Sequence, residues 1–324
     1  MAPRSHNFLH KLDPAARLGT FVSTTPAALR ATPFLDGRIP YWEGDPVDAA
    51  LPISSPAVAT VDRIVFHVGF CGSTLLASLL DRPGAALVLR EPQALTDLAA
   101  YRSILDRDGQ HDTTFPDLLT AVRVALYRRW ADGEAVVIKP SNWVNALLPD
   151  LVAAPARLRP LFLTMERRAF AVAVLRGGPA RIAFAARACV HLANADTTSA
   201  HRLAAILALP EEPDDRLLML AILLYDFQLA LFRAAAVVGG WNADHWLCFE
   251  ALRSDPHAAL LKAARTLDIA PPPDRMLIDH AKYPGTRYSA DEEAAANAAI
   301  ETAHGARIDR AIALVDAVTG SSPL

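Results

Sequence analysis

The sequence predicts an α/β protein: a three-layer arrangement with a parallel sheet of about five strands, helices on both faces, and a helical insertion. Short, continuous apolar runs recur at Arg63–Val68, Ala86–Arg90, Ala135–Lys139, Leu161–Thr164 and His245–Phe249. Longer Ala- and Leu-rich stretches separate them. Parallel strands are covered on both faces and so read as unbroken apolar runs, and their alternation with helices implies a parallel sheet. The composition agrees: 324 residues, 52% hydrophobic and 21% charged, suit a globular chain with a large core.

Residues 1–60 are rich in Pro, Thr and Ser without sustained periodicity, which predicts an irregular arm anchored by Tyr41 and Trp42. Residues 61–324 form the α/β domain. Within it, residues 177–240 are expected to be a helical insertion over the site. The apolar stretch 217–240 contains Asp226, Gln228 and Arg233, which would be costly in a bilayer, so a buried core helix is expected rather than a membrane span. Ser254 or Asp255 with Pro256, and Ser289 with Glu292, mark two helix starts.

A net charge of -3 offers no footprint for nucleic acid or an anionic membrane. Cys71, Cys189 and Cys248 are odd in number and widely spaced, so neither a disulfide framework nor a metal site is expected, and a cytoplasmic location fits best. The N-terminus has no continuous apolar segment of signal-peptide type. Only four of the 32 basic residues are lysine: Lys11, Lys139, Lys262 and Lys282.

Four segments carry candidate chemistry. The run Gly69-Phe70-Cys71-Gly72-Ser73-Thr74 joins the first expected strand to a helix. Glycines let backbone approach an anion, and the amides that open a helix point at it. The alternative is an ordinary turn with Ser73 as N-cap. No Walker lysine is present. Glu91 follows the second strand, where ligands of parallel sheets bind, and could act as a general base or simply pair with Arg90. Lys139 ends the third strand, where it could supply the loop's missing cation or turn to solvent; Ser141 and Asn142 follow it. A later loop, 279–292, brings Lys282 and Arg287 beside Tyr283 and Tyr288.

In this order the segments resemble the sulfotransferase family, across roughly residues 62–290. The segments are "GFCGSTLL", "REPQAL", "VIKPSNWVNALLPDLVAAPARLRPLFL" and "FEALRSDPHAALLKAARTLDI". The resemblance implies a P-loop-type fold and transfer of a sulfonate from 3′-phosphoadenosine 5′-phosphosulfate to a hydroxyl or amine of a small-molecule or peptide acceptor, without a metal. It implies that Gly69, Phe70, Cys71, Gly72, Ser73 and Thr74 hold the phosphosulfate. Lys139, with Lys282, neutralises charge on the bridging oxygen, and Glu91 is the base. The chain departs from the family at three positions. Phe70 stands at a cation position, and Met165 and Ala173 stand where an Arg and a Ser bind the 3′-phosphate. Arg167, Arg168 or Arg176 would have to compensate. Each lost contact weakens binding by about 1.5–3 kcal/mol. Two other readings stay open: a nucleotide-dependent phosphotransferase on the same scaffold, and a non-catalytic binding protein.

Overall fold

The computed structural model describes residues 6–51, 61–128, 130, 133–154, 157–273 and 290–320. Strands β1 (His6–Asp13), β2 (Leu18–Thr24) and β3 (Glu43–Ala50) form an antiparallel sheet in that order, and helix α1 (Pro26–Ala31) precedes β3. The expected irregular arm is therefore a small sheet. Its alternation is hard to read because both strand pairs contain a register shift, between Leu9 and Lys11 and between Phe21 and Ser23. The edge strand β3 is exposed along its whole length and contains Pro46, as edge strands tolerate. Tyr41 is an anchor: its ring packs on Phe8 at 5.8 Å, and its hydroxyl lies 2.8 Å from His10 Nδ1. Trp42 packs half-buried beside it.

All five expected runs are strands of a second sheet. β4 (Val61–His67) leads to α2 (Ser73–Leu80), then β5 (Ala86–Arg90), α3 (Gln93–Arg107) and α4 (Phe115–Leu126). β6 (Ala135–Lys139) is followed by a 3₁₀ turn, Asn142–Leu147, and by α5 (Leu148–Ala153). After β7 (Arg157–Thr164) come α6 (Arg167–Arg176), α7 (Gly178–Ala193), α8 (Thr197–Leu207) and α9 (Pro213–Gly239). β8 (Trp246–Cys248), α10 (Phe249–Ser254), α11 (Pro256–Leu267) and α12 (Ala290–Thr319) complete the described chain. The strand order is β5-β6-β4-β7-β8, all parallel.

Helices cover both faces, as alternation along β4 shows. Phe66 lies 6.3 Å from Phe232 of α9, whereas Arg63 points the other way and donates to the Leu267 carbonyl that ends α11, at 2.7 Å. The segment 177–240 contains three helices, α7 to α9, as expected. Leu218 through Tyr225 of α9 are buried in succession, so that stretch of the helix is enclosed on every side, while its C-terminal end, with Val237 and Val238, is exposed. Asp255 caps α11 by accepting from the Ala258 amide at 2.9 Å, with Pro256 next. Ser289 lies outside the described residues, while its expected partner Glu292 stands in the first turn of α12.

The strand order opens the site. The connection from β4 to β5 passes β6, whereas the connection from β6 to β7 crosses β4 in the opposite sense. The loops leaving β4 and β6 therefore diverge at the carboxyl ends of adjacent strands, where parallel sheets hold ligands.

Candidate active site

The loop after β4 is wound through the left-handed region at Gly69 (φ +84), Phe70 (φ +55) and Gly72 (φ +73). Gly72 is the N-cap of α2 and has no side chain with which to cap it, so backbone bonds leave the first-turn amides of Thr74 and Leu75 open. Any Cβ at Gly72 would collide with the Phe249 ring, so both conformation and space require glycine. Phe70 occupies its left-handed conformation at a cost of about 1–2 kcal/mol.

Buried amides hold this loop from beneath. Gln228 Nε2 of α9 donates to the Val68 carbonyl at 2.9 Å, and Asn145 Nδ2 donates to the His67 carbonyl at 3.1 Å. Asn142 and Asn145 both donate to Gln228 Oε1, at 3.2 and 2.9 Å. His67 is also buried. The Gly69 amide donates to its Nδ1 at 3.1 Å, which directs Nε2–H to the Pro140 carbonyl at 2.9 Å. The polar interruption of α9 at Gln228 is thus a support for the loop. It was visible in the sequence as an amide in an apolar run, but its target was not.

Glu91 and Lys139 meet beside the loop. Lys139 Nζ donates to Glu91 Oε1, and the Glu91 amide donates to the Lys139 carbonyl at 2.7 Å. Lys139 is only 1% exposed, so it does not turn to solvent. Glu91 is held at φ +55, a strained position directly after β5. Its pairing with Arg90 does not occur; Arg90 faces away and bonds Asp81 at 2.5 Å.

Gly69, Phe70, Gly72, Ser73, Thr74, Glu91 and Lys139 line one cleft of about 770 Å³. Cys71, expected among the loop's ligand-holding residues, is fully buried and does not line the cleft. Its thiol is fully buried 3.7 Å from the Leu163 carbonyl, and burial pushes it up to about 12, beyond reach as a nucleophile near neutral pH. Arg167 is not brought to the cleft. It bonds Asp226 at 2.5 Å and Asp316 at 2.7 Å, tying α6 to α9 and α12, so its assignment to a ligand is corrected. Arg168 is likewise taken up by Glu301 and Asp309. Lys282, Tyr283, Arg287 and Tyr288 lie outside the described residues.

Met165 and Ala173 are both buried, and neither lines the cleft. Two arginines near them do. Arg176 bonds Glu293 at 2.7 Å and Asn297 at 2.9 Å. Arg181 donates to the Ala173 carbonyl at 2.6 Å, and its guanidinium stacks 4.9 Å above the Phe70 ring. A cation therefore reaches position 70 through space, from a helix more than a hundred residues downstream. Sequence spacing carried no sign of it. Phe34, Asp36 and Arg38, from the segment between α1 and β3, complete the wall beside Glu91. Among the described lining residues, four cations (Arg38, Lys139, Arg176, Arg181) face three carboxylates (Asp36, Glu91, Glu293).

Compared with family models, curated proteins and solved structures, the chain finds no match.

Proposed function

We propose that the protein is a sulfotransferase-like enzyme of P-loop type, transferring a sulfonate from a phosphosulfate nucleotide to a hydroxyl or amine. The observation that carries this reading is the convergence in one cleft of an open helix N-terminus, a buried lysine and a strand-end carboxylate. The loop fits a tetrahedral anion: its open amides and the Ser73 and Thr74 hydroxyls are donors, and no carboxylate lies within the loop itself.

In this reading the open amides of Thr74 and Leu75, with the Ser73 and Thr74 hydroxyls, hold the phosphosulfate. Glu91 gives one carboxylate oxygen to Lys139 and uses the other to take the acceptor's proton. The acceptor oxygen or nitrogen bonds to sulfur as the sulfur–oxygen bond to phosphate breaks. Lys139 and the loop amides stabilise the negative charge that gathers on the departing phosphate oxygen. Positions 165 and 173 do not fit a 3′-phosphate, whereas Arg176 and Arg181 are cations within the same cleft.

Calorimetric titration with adenosine 3′,5′-bisphosphate tests the donor assignment; the absence of heat at millimolar concentration would reject it. The enclosure of Met165 and Ala173 favours one second reading, a phosphotransferase whose nucleotide has no 3′-phosphate. Stronger thermal stabilisation by ATP with magnesium than by the bisphosphate would select that reading.

A further inference from the structure

The segment Phe34–Arg38 belongs to neither sheet, yet it is fixed against the residues that flank Glu91. The Leu35 amide donates to the Arg90 carbonyl at 2.7 Å, and the Gln93 amide donates back to the Leu35 carbonyl at 3.3 Å. The buried Tyr41 hydroxyl donates to the same carbonyl at 3.3 Å. Gly37 sits at φ +85, where a Cβ would meet the His10 ring at 2.9 Å. This is a rigid strip laid beside β5, and it aims Arg38 into the cleft.

Arg38 is prepared on two sides. Asp36 accepts from the Arg38 amide at 3.0 Å and from Nε at 2.5 Å. Phe34 lies beneath the guanidinium plane, with the carbon 4.7 Å from the ring centroid. Both terminal nitrogens are without a hydrogen-bond partner among the described residues, and the side chain is 65% exposed. A flat fork held by Nε and backed by a ring has little freedom left to lose. Its two free N–H pairs match the two oxygens of a carboxylate. Asp36 keeps the guanidinium's pKa raised through their hydrogen bond, and the Glu91 charge adds to it. The neighbouring Glu91 charge is balanced by Lys139, so a further anion is not met by an uncompensated one.

We infer that Arg38 is an acceptor-recognition residue and that the acceptor is anionic: a hydroxy or amino compound bearing a carboxylate, bound two-point to the terminal nitrogens of Arg38 with its nucleophile toward Glu91. Only the word acceptor rests on the transfer reading; carboxylate binding by Arg38 stands without it.

The test is ligand-observed NMR on the full chain with matched pairs, 4-hydroxybenzoate against 4-hydroxybenzamide and 3-hydroxybutyrate against 3-hydroxybutyramide. Wild type is expected to bind at least one acid about tenfold more tightly than its amide, the scale of a charge-assisted pair. Arg38→Gln is expected to bring acid and amide within about twofold, and Arg38→Lys to recover only part of the preference, having charge without the fork. Equal binding of acid and amide by wild type, no binding of either, a preference that survives Arg38→Gln, or full recovery in Arg38→Lys would each overturn the inference. Adenosine 3′,5′-bisphosphate, titrated in parallel, separates the two claims. Its failure to bind rejects the donor and leaves the acid preference to be judged by itself.

Discussion

Gly72 concentrates two constraints at one residue, a left-handed backbone and contact with Phe249. Gly72→Ala is expected to lower unfolding free energy by about 2 kcal/mol or more, read by denaturant titration. Glu91 and Lys139 separate by role. Glu91→Gln keeps shape and a hydrogen bond to Lys139 while losing the proton acceptor, so turnover should fall about 10²–10⁴-fold. Bisphosphate binding should change little, and an equal loss in both would assign Glu91 to binding. Lys139→Met is expected to weaken bisphosphate binding about tenfold to a hundredfold. His191 offers a pH signature. Its Nε2 lies 3.0 Å from the Trp143 carbonyl beneath the cleft wall, and burial pushes its pKa down to about 4. The folded value is depressed, so the unfolded chain binds this proton more readily below about pH 6.5. The contribution is present above that pH and is lost as pH falls through about 4. Wild type should therefore lose about 3 kcal/mol more than His191→Gln across that window. The raised carboxyls Asp81 and Asp226 titrate in both proteins and cancel in the difference. Parallel pH profiles would contradict the burial of a neutral imidazole.

At the scale of elements, α12 buries Ile308, Ala311 and Val315 in the core and is flanked by arginine ion pairs. Arg167 bridges to Asp316, Arg168 to Glu301 and Asp309, Arg176 to Glu293, and Arg307 and Arg310 reach back to Asp215 and Glu211. These pairs differ in environment. Arg167, partly buried between Asp226 and Asp316, takes the hydrogen-bonding cation from two carboxylates when removed, so Arg167→Ala should cost about 2 kcal/mol. Arg168 is more exposed, and Arg168→Ala should cost under about 1 kcal/mol. Equal costs in denaturant unfolding would show that burial does not set their rank. The ion pairs were not legible in the sequence. Each joins residues many positions apart, and an arginine-rich composition makes any single arginine uninformative. The strands were legible, because unbroken β-branched and apolar runs such as "ALVLR" and "AVVIK" have few alternative fates. The N-terminal sheet was not. Register shifts break its alternation, and its outer strand buries nothing, so hydrophobicity marks neither its length nor its face.

For the whole molecule, the parallel order places three strand ends side by side, and each contributes one part of the cleft: the glycine loop, Glu91 and Lys139. Those parts were legible because each sits at a strand end, where position alone implies a ligand-facing role. The walls were not. Arg181 arrives from α7, and Phe34 and Arg38 arrive from outside the main sheet, so only the folded chain brings them to the same space. The central claim is that this space holds a phosphosulfate nucleotide with Lys139 at its reacting end. Calorimetry with adenosine 3′,5′-bisphosphate on wild type and Lys139→Met tests it most directly. Wild type is expected to bind in the micromolar range and the variant about tenfold or more weakly. Silence from wild type at millimolar concentration, or equal affinity in the two proteins, would contradict it.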